Sequence, residues 1–275
     1  MKFKGISIIG FIRARVMRLT IVALILIFFT TTNFGYAQNH SELEQLANQG
    51  NANAQYDLGM IYFEGRGVLQ DNRKALEWLQ KAADQGLADA QSNLGWMYLQ
   101  GFGIPNDDRR ALEWIQKAAE QGHADAQSNL GALYASGRGV PQDDHKALEW
   151  YRKAAEQGSA NAQVNLGNRY ATGRGVPRDD RKAFEWFQKS AEQGNAVAQL
   201  NLGEMYRHGR SVPKNDRIAV EWYQKAAEQG LANAQFTLGL AYGGGFGVPK
   251  NERIASVLNQ KFMIQSAHLT IRGLL

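Results

Sequence analysis

The sequence predicts an all-α fold made of six consecutive helix pairs, with a capping helix at each end. The first observation is a repeat of 36 residues, a period that is typical of arrays whose units pack on their neighbours. The second is a helical spacing of apolar residues in both halves of the repeat, and the third is the lack of any competing strand pattern. Tryptophans one repeat apart mark the array most plainly: Trp78, Trp114, Trp150, Trp186 and Trp222.

The first helix of each pair is best illustrated by the segment Ala124 to Ser136. Leu130 and Tyr134 fall four residues apart on one helical face. Gly131 lies beside Leu130 and lets a neighbouring helix approach closely. Gly137 is predicted to end the helix, because a left-handed residue there costs least as glycine.

The second helix follows a turn formed by residues 139–141, in which the proline has no N–H to donate. Asp143 or Asp144 is placed to accept a hydrogen bond from the first turn. Tyr151 lies on the apolar side of this helix, and Trp150 lies at its edge. A Glu and a Lys four residues later recur on it and predict ion pairs: Glu77–Lys81, Glu113–Lys117, Glu149–Lys153, Glu185–Lys189 and Glu221–Lys225.

One helix pair alone cannot bury its tryptophan and tyrosine, so each unit is expected to stack on the next. Truncating one of the repeated tryptophans should then cost roughly 3–5 kcal/mol if that side chain is buried.

The repeated pattern is A-x-A-Q-x-x-L-G-x-x-Y-x-x-G-x-G-V-P-x-D-x-x-K-A-x-x-W-x-x-K-A-A-E-Q-G, and it resembles the Sel-one-like repeat family, a branch of the tetratricopeptide-type helical repeats. The resemblance covers about Ala52 to Ala255. Leu69 replaces the proline, Ser211 replaces a glycine, and the pattern is lost after Ala255. The resemblance implies a right-handed superhelical solenoid of six antiparallel helix pairs and a role in assembling or regulating other proteins, often in bacterial cell envelopes.

Residues 1–37 have the pattern of a signal peptide. Basic residues precede the apolar run from Leu19 to Phe29, and Gly35 and Ala37 fit a cleavage site before Gln38. The apolar run is short for a membrane span, which needs about 20 residues. We therefore expect a periplasmic or secreted protein without a stable membrane span after cleavage. An uncleaved anchor is the alternative, and Met17 is an alternative start of translation.

The rest of the chain divides into three parts. Residues 38–51 form a linker and an N-terminal capping helix, and residues 52–255 form the six-unit solenoid, whose sixth unit is incomplete. Residues 256–275 are more apolar than a terminal cap needs, with Phe262, Met263 and Ile264 among them. An amphipathic capping helix is the favoured interpretation of this tail, and a docking segment or an altered reading frame are alternatives.

Charge and cysteine content exclude several classes of function. The chain has 31 basic and 26 acidic residues, but five of the basic ones lie in the signal segment, which leaves 26 of each. No basic stripe for nucleic acid is visible. The chain has no cysteine, which excludes a bacterial lipid anchor, a disulfide framework, a thiolate metal site and a cysteine nucleophile.

No catalytic, metal or cofactor site is predicted. The paired aspartates recur at one helix start and are expected to be caps: Asp107-Asp108, Asp143-Asp144 and Asp179-Asp180. The five histidines lack the spacing of metal ligands, and His208 with Glu204 is interpreted as a solvated pair. The glycine-rich stretch from Gly243 to Gly247 is interpreted as a loosened helix end.

What distinguishes the units is the first-helix surface that the resemblance places on the inner, concave side, here called the variable face. Its positions are Asn53, Tyr56, Met60, Phe63 and Glu64, Asp89, Ser92, Trp96, Leu99 and Gln100, Ala132, Ala135, Asn168 and Thr172, Leu200, Glu204, Arg207 and His208, and Phe236 and Leu240. Trp96 is the tryptophan that lies outside the repeated position, and tryptophan is enriched at binding hot spots.

We predict that a protein or peptide partner binds on the N-terminal half of this face, at Tyr56, Met60, Phe63, Trp96 and Leu99. In this prediction Glu204, Arg207 and His208 orient the partner. The alternative is that these side chains pack against the preceding unit.

The predicted function is therefore a non-enzymatic scaffold or adaptor in the bacterial cell envelope. One alternative is a factor that assembles envelope polysaccharide or peptidoglycan. The other is β-lactam hydrolysis, which has been associated with cysteine-rich members of the resembled family, although this chain lacks their cysteines.

Overall fold

The computed structural model describes residues 40–272 and, in the last helix, side chains as far as Gln265 and that of Ala267. The predicted signal segment, residues 1–37, lies outside the described residues. Between 40 and 272 the chain forms thirteen helices and no strand. Helix α1 spans 40–48, and the others are α2 (Ala52–Glu64), α3 (Asn72–Asp84), α4 (Ala88–Gln100), α5 (Asp108–Glu120), α6 (Ala124–Ser136), α7 (Asp144–Glu156), α8 (Ala160–Thr172), α9 (Asp180–Glu192), α10 (Ala196–His208), α11 (Asp216–Glu228), α12 (Ala232–Gly244) and α13 (Glu252–Arg272).

The chain divides into two compact units, and the boundary between Ala90 and Gln91 falls inside α4. The first of these compact units, which is larger than one 36-residue repeat, contains α1 to α3, with α2 packed on α3. Ala47 of α1 is buried with Ala54 and Leu58 of α2. The Nε2 of Gln55 donates a hydrogen bond to the carbonyl oxygen of Ala47 at 3.0 Å, which fixes α1 to α2.

In the second compact unit the helices from α5 to α13 pack in series, each on the next along the chain. The side chains that fill the spaces between them come from both helices of each pair, as Leu166 and Phe187 do. The predicted all-α array of consecutive helix pairs is confirmed for the described residues.

The first helices begin and end where the sequence predicts. Helix α6 runs from Ala124 to Ser136, and Gly137 after it is left-handed, with φ +73°. A Cβ atom on Gly131 would lie 2.7 Å from the ring of Tyr151, which is closer than atoms can pack. The predicted close approach at this glycine is therefore confirmed.

Aspartate caps start the second helices α5, α7 and α9, as predicted. The side chain of Asp143 accepts hydrogen bonds from the backbone N–H groups of His145 and Lys146, at 3.0 and 2.9 Å. Asp107 and Asp179 occupy the same position on α5 and α9. Each cap satisfies N–H groups that would otherwise lack a partner at the helix start.

The repeated glutamines, whose role the sequence does not reveal, form a buried polar ladder. Gln127 donates through Nε2 to the carbonyl oxygen of Ala119 at 3.1 Å and accepts from Gln157 at 2.7 Å. Gln163 and Gln199 repeat both bonds one and two units later. Because a buried amide without partners is costly, these bonds make each unit depend on the helices on either side.

The repeated tryptophans are half-buried rather than buried. The lysine three residues later covers each ring: the Nζ of Lys153 lies 4.1 Å from the ring centroid of Trp150. The same contact recurs at the other four tryptophans, at 3.9–4.3 Å. The predicted pairing of these lysines with the glutamates is thus replaced by contact with the indole rings, since a cation over an aromatic face is favourable.

The last pair departs from the others. Helix α12 continues to Gly244 and ends in a regular way at the left-handed Gly245, so the interpretation of residues 243–247 as a loosened helix end is wrong. Ser266 stands where the other repeats have a glycine just after the second helix, and α13 runs on to Arg272. No helix among residues 40–272 is both long enough and apolar enough to cross a bilayer.

Candidate functional site

The predicted binding residues of the first unit lie on α2. Tyr56, Met60 and Phe63 are all half-buried there. They follow one another at spacings of four and three residues, which places them on one side of the helix.

In the second unit, Trp96 and Leu99 lie on α4. Trp96 has 36% of its surface exposed, and its ring centroid lies 5.1 Å from that of Phe102 in the following loop. Leu99 is half-buried, and its carbonyl oxygen accepts hydrogen bonds from the side chains of Asn106 and Arg138. The structure therefore presents Trp96 at the surface as part of an aromatic pair.

Glu204, Arg207 and His208 lie within one turn of α10, and the structure joins them to a fourth residue. One carboxylate oxygen of Glu204 accepts from the hydroxyl of Tyr223 at 2.7 Å, and the other lies 3.2 Å from the Nε2 of His208. The guanidinium of Arg207 lies 5.9 Å from the ring centroid of Phe246. The sequence pairs His208 with Glu204 correctly but gives no sign that Tyr223 joins them.

Burial raises the pKa of Tyr223, and the adjacent carboxylate of Glu204 raises it further, while Arg207 lowers it in part. The phenol therefore stays protonated in the folded protein above its ordinary pKa of 10.0. Unfolding would release that phenol to ionise at its ordinary value. The stability that Tyr223 provides is thus fully present below about pH 10 and falls as the pH rises further.

We expect Tyr223→Phe to remove this alkaline loss. At neutral pH the variant should be less stable by about 1 kcal/mol, because one hydrogen bond is lost. Phe187 occupies the same place one unit earlier, so the ring itself fits. Urea titrations between about pH 8 and about pH 11 should show the stability gap between the two proteins closing. A gap that widens with pH would contradict the raised pKa.

Arg169 is a buried charge that the sequence analysis missed. Its Nη1 lies 2.5 Å from the Oδ1 of Asp144, and its side chain is 9% exposed. The guanidinium also lies 5.6 Å from the ring centroid of Tyr151. The second aspartate of the Asp-Asp pair thus joins two units, a role separate from that of the cap before it.

Asp108 has the corresponding role on α5. Arg138, in the loop after α6, donates to both of its carboxylate oxygens, at 2.5 and 3.2 Å. The middle residue of the Gly-x-Gly loop is the only sequence signal for this contact, because it is arginine in several units. Since Phe102 and Phe246 replace that arginine in two others, those units present an aromatic side chain instead.

Exposed apolar side chains concentrate near the end of the second compact unit, where Arg207 is the predicted binding residue beside them. Phe236 is 39% exposed, Leu240 45% and Phe246 50%. The ring centroid of Phe262 lies 5.0 Å from that of Phe236. The sequence places Phe236 and Leu240 on the variable face, but their exposure depends on packing that the sequence does not give.

Residues 40–272 contain no group of three His, Asp or Glu side chains arranged to hold a metal ion. The aspartate pairs are engaged in caps and cross-unit ion pairs, as Asp143 and Asp144 are. The aspartates of these pairs therefore have structural partners within the described residues.

Comparison with known proteins gives a family and several similar structures. The model of the Sel1 repeat matches residues 52–87, 88–123, 124–159, 160–195, 196–231 and 232–255. No curated protein is similar enough to count as a match.

Among solved structures, a protective antigen of uropathogenic Escherichia coli strains with an SLR fold is 40% identical, with a TM-score of 0.72. The match covers 82% of this chain and 48% of that one, so this chain spans about half the length of that relative. A Sel1 repeat protein from Oxalobacter formigenes is 35% identical over 82% of this chain and 99% of its own, with a TM-score of 0.74.

An immunity protein from Pseudomonas aeruginosa is 22% identical over 78% of this chain and 82% of its own, with a TM-score of 0.55, and shares the fold alone. The repeat match extends over most of the chain, and the Oxalobacter formigenes protein is matched over nearly its whole length. The chain therefore belongs to the Sel1 repeat family, whose members are typically scaffolds for protein–protein interactions.

Proposed function

We propose that this chain is a non-enzymatic scaffold of the bacterial cell envelope that binds a protein or peptide through the variable face of its first helices. The observation that carries the proposal is Trp96. A large aromatic side chain is exposed at a position where other units have Ala132, Asn168 or Glu204. The fold does not need tryptophan there, and aromatic side chains on a rigid helical surface are typical anchors for partners.

Export to the periplasm or beyond is part of the proposal. It is supported by the basic residues and the apolar run from Leu19 to Phe29 at the start of the chain. The Escherichia coli relative is described as a protective antigen, which supports an exported location for this chain. Fractionation of the native cells would test this, and recovery of the protein with the cytoplasm would overturn it.

The test of the binding role is a matched pair of tryptophan variants. Trp96→Ala should weaken binding of a partner by about 2 kcal/mol, because a central aromatic anchor is removed. It should change the melting temperature little, because the side chain is partly exposed. Partners would first be isolated from the native envelope by affinity capture and identified by mass spectrometry, and their affinities then measured by calorimetry.

Trp114→Ala is the control within the repeated position. Its ring is half-buried and covered by Lys117, so its loss should lower stability by about 2 kcal/mol, short of the full cost of a core residue. Binding should persist in this variant at temperatures where it is folded. If Trp96→Ala destabilises the protein as much as Trp114→Ala does, Trp96 belongs to the core and the proposed site is wrong.

A further inference from the structure

The strongest unexplained surface is an apolar patch on the last helix pair, here called the C-terminal patch and formed by Phe236, Leu240, Phe246 and Phe262. Phe236, Leu240 and Gly244 follow one another at intervals of four residues along α12. The ring of Phe246 lies against Gly244, where a Cβ atom would be 2.1 Å from it. The ring of Phe262, on α13, lies next to that of Phe236 and extends the patch onto the last helix.

The repeat pattern does not require these side chains. Two units earlier, Asn168 stands where Leu240 stands here, and Arg174 stands where Phe246 stands. Asn168 is exposed in a unit that packs as well as the others. The apolar residues of the C-terminal patch are therefore additions to the fold, and their exposed surface is available to a partner.

A cation borders the C-terminal patch. Arg207 is half-buried, and its guanidinium lies over the ring of Phe246. Among the described residues, no carboxylate comes within 4.0 Å of its nitrogen atoms. Glu204 is occupied by Tyr223 and His208, and Asp216, which lines the same small cavity as Arg207, has Lys214 at 3.6 Å.

Arg207 contrasts with two other arginines of the chain. Arg138 and Arg169 each pair with an aspartate of the preceding repeat at 2.5 Å, whereas Arg207 lies beside the rings of Phe246 and Tyr223, and the acids near it are engaged by other residues. A half-buried guanidinium beside an apolar surface favours a carboxylate that arrives with apolar side chains, because charge complementarity and desolvation then act together.

We propose that the C-terminal patch binds an acidic amphipathic segment of a partner protein. Apolar side chains of that segment, three or four residues apart, lie on Phe236 and Leu240, and a carboxylate of the segment pairs with Arg207. The mode is that of a helix laid on an apolar helical surface. The inference rests on the proposed function, since it names the chemistry of the partner and adds a second anchor on the same scaffold.

Selection of random peptides of about 16 residues, or roughly four helical turns, tests this directly on the immobilised full chain. Selected peptides should be rich in Asp and Glu and should carry pairs of apolar residues three or four apart. Fluorescence anisotropy should show binding at least about tenfold weaker to Leu240→Ser and to Arg207→Gln. Asn168→Ser, at the equivalent position two units earlier, is the matched control and should bind as the original chain does.

Charge reversal sharpens the test. A second selection on Arg207→Glu should enrich Lys and Arg in place of Asp and Glu, and Arg207→Lys should keep the acidic preference. Melting temperatures of all variants check that each is folded, which matters because Arg207 lies near Tyr223.

The outcomes separate this inference from the proposed function. Peptides that lose affinity in Trp96→Ala but not in Leu240→Ser would overturn the C-terminal patch and keep the scaffold. Failure to select any peptide would overturn the C-terminal patch, whereas a captured partner whose binding depends on Trp96 would still support the scaffold. Sedimentation that shows a dimer dissociated by Leu240→Ser would mean that a second copy covers the patch, and the acidic partner would then be wrong.

Discussion

Asp144→Ala is expected to lower the free energy of unfolding by about 2–4 kcal/mol, because it leaves the guanidinium of Arg169 without its carboxylate. Arg169 is the buried member of the pair, with a side chain 9% exposed, whereas that of Asp144 is 32% exposed. The cost arises mainly from the unpaired buried charge and less from the lost attraction. Urea unfolding followed by circular dichroism would measure it.

Two further variants separate this explanation from loss of a helix cap. Asp180→Ala alters the same position one unit later, where the partner Arg178 is exposed, and should cost less than about 1 kcal/mol. Adding Arg169→Met to Asp144→Ala should recover most of the loss, because methionine occupies that place in the next unit, at Met205. If Asp144→Ala alone is as stable as Asp180→Ala, the ion pair between Asp144 and Arg169 contributes little to stability.

Features with a local cause could be predicted from the sequence. The bounds of α6, the cap at Asp143 and the left-handed Gly137 each depend on a few neighbouring residues. The period of 36 residues then extends one correct unit to all six, which is why an error in one unit would have been repeated in every other. The helix pairs can therefore be predicted from one sequence without knowledge of contacts between distant residues.

Side-chain contacts and exposure that depend on how repeats pack could not be predicted from the sequence. Arg169 pairs with a residue 25 positions earlier, and nothing near it in the chain marks it as buried. The lysines near the tryptophans had two possible partners, and the choice of the indole over the glutamate depends on how exposed each is. The exposure of Phe236 and Leu240 likewise depends on what the end of the array leaves uncovered.

The candidate site likewise has some features that the sequence predicts and others that it does not. The sequence identifies the variable face and Trp96 on it, and it pairs His208 with Glu204. It favours the N-terminal half because Trp96 breaks the repeat, which a pattern detects, whereas Phe246 only replaces an arginine in a loop. The loops between the helices of a pair therefore vary between repeats in a way that the repeat pattern does not single out.

Those loops also bring neighbouring repeats into close contact. In three repeats the second glycine of the Gly-x-Gly loop, at 139, 175 and 247, lies against the first turn of the second helix of the preceding repeat. Cβ atoms built on Gly139 and Gly175 would each lie 2.3 Å from a backbone carbonyl oxygen, those of Asp108 and Asp144 respectively. Both glycines have positive φ, so two separate constraints select glycine there.

Gly175→Ala is therefore expected to destabilise the protein by about 2–4 kcal/mol. The left-handed backbone, with φ +72°, costs about 1–2 kcal/mol for a residue with a Cβ atom. The remainder comes from moving that atom away from the carbonyl oxygen of Asp144, which separates two units that pack on each other. Thermal and urea unfolding would both register the loss.

Ser211 provides the reverse experiment in the same chain. It occupies the place of Gly175 one unit later and has φ +62°, the only positive φ at a residue other than glycine among the described residues. Ser211→Gly should therefore stabilise the protein by about 1 kcal/mol, because the left-handed backbone no longer carries a Cβ atom. The opposite signs of the two substitutions are the critical result, since a general effect of loop flexibility would make the glycine variant less stable.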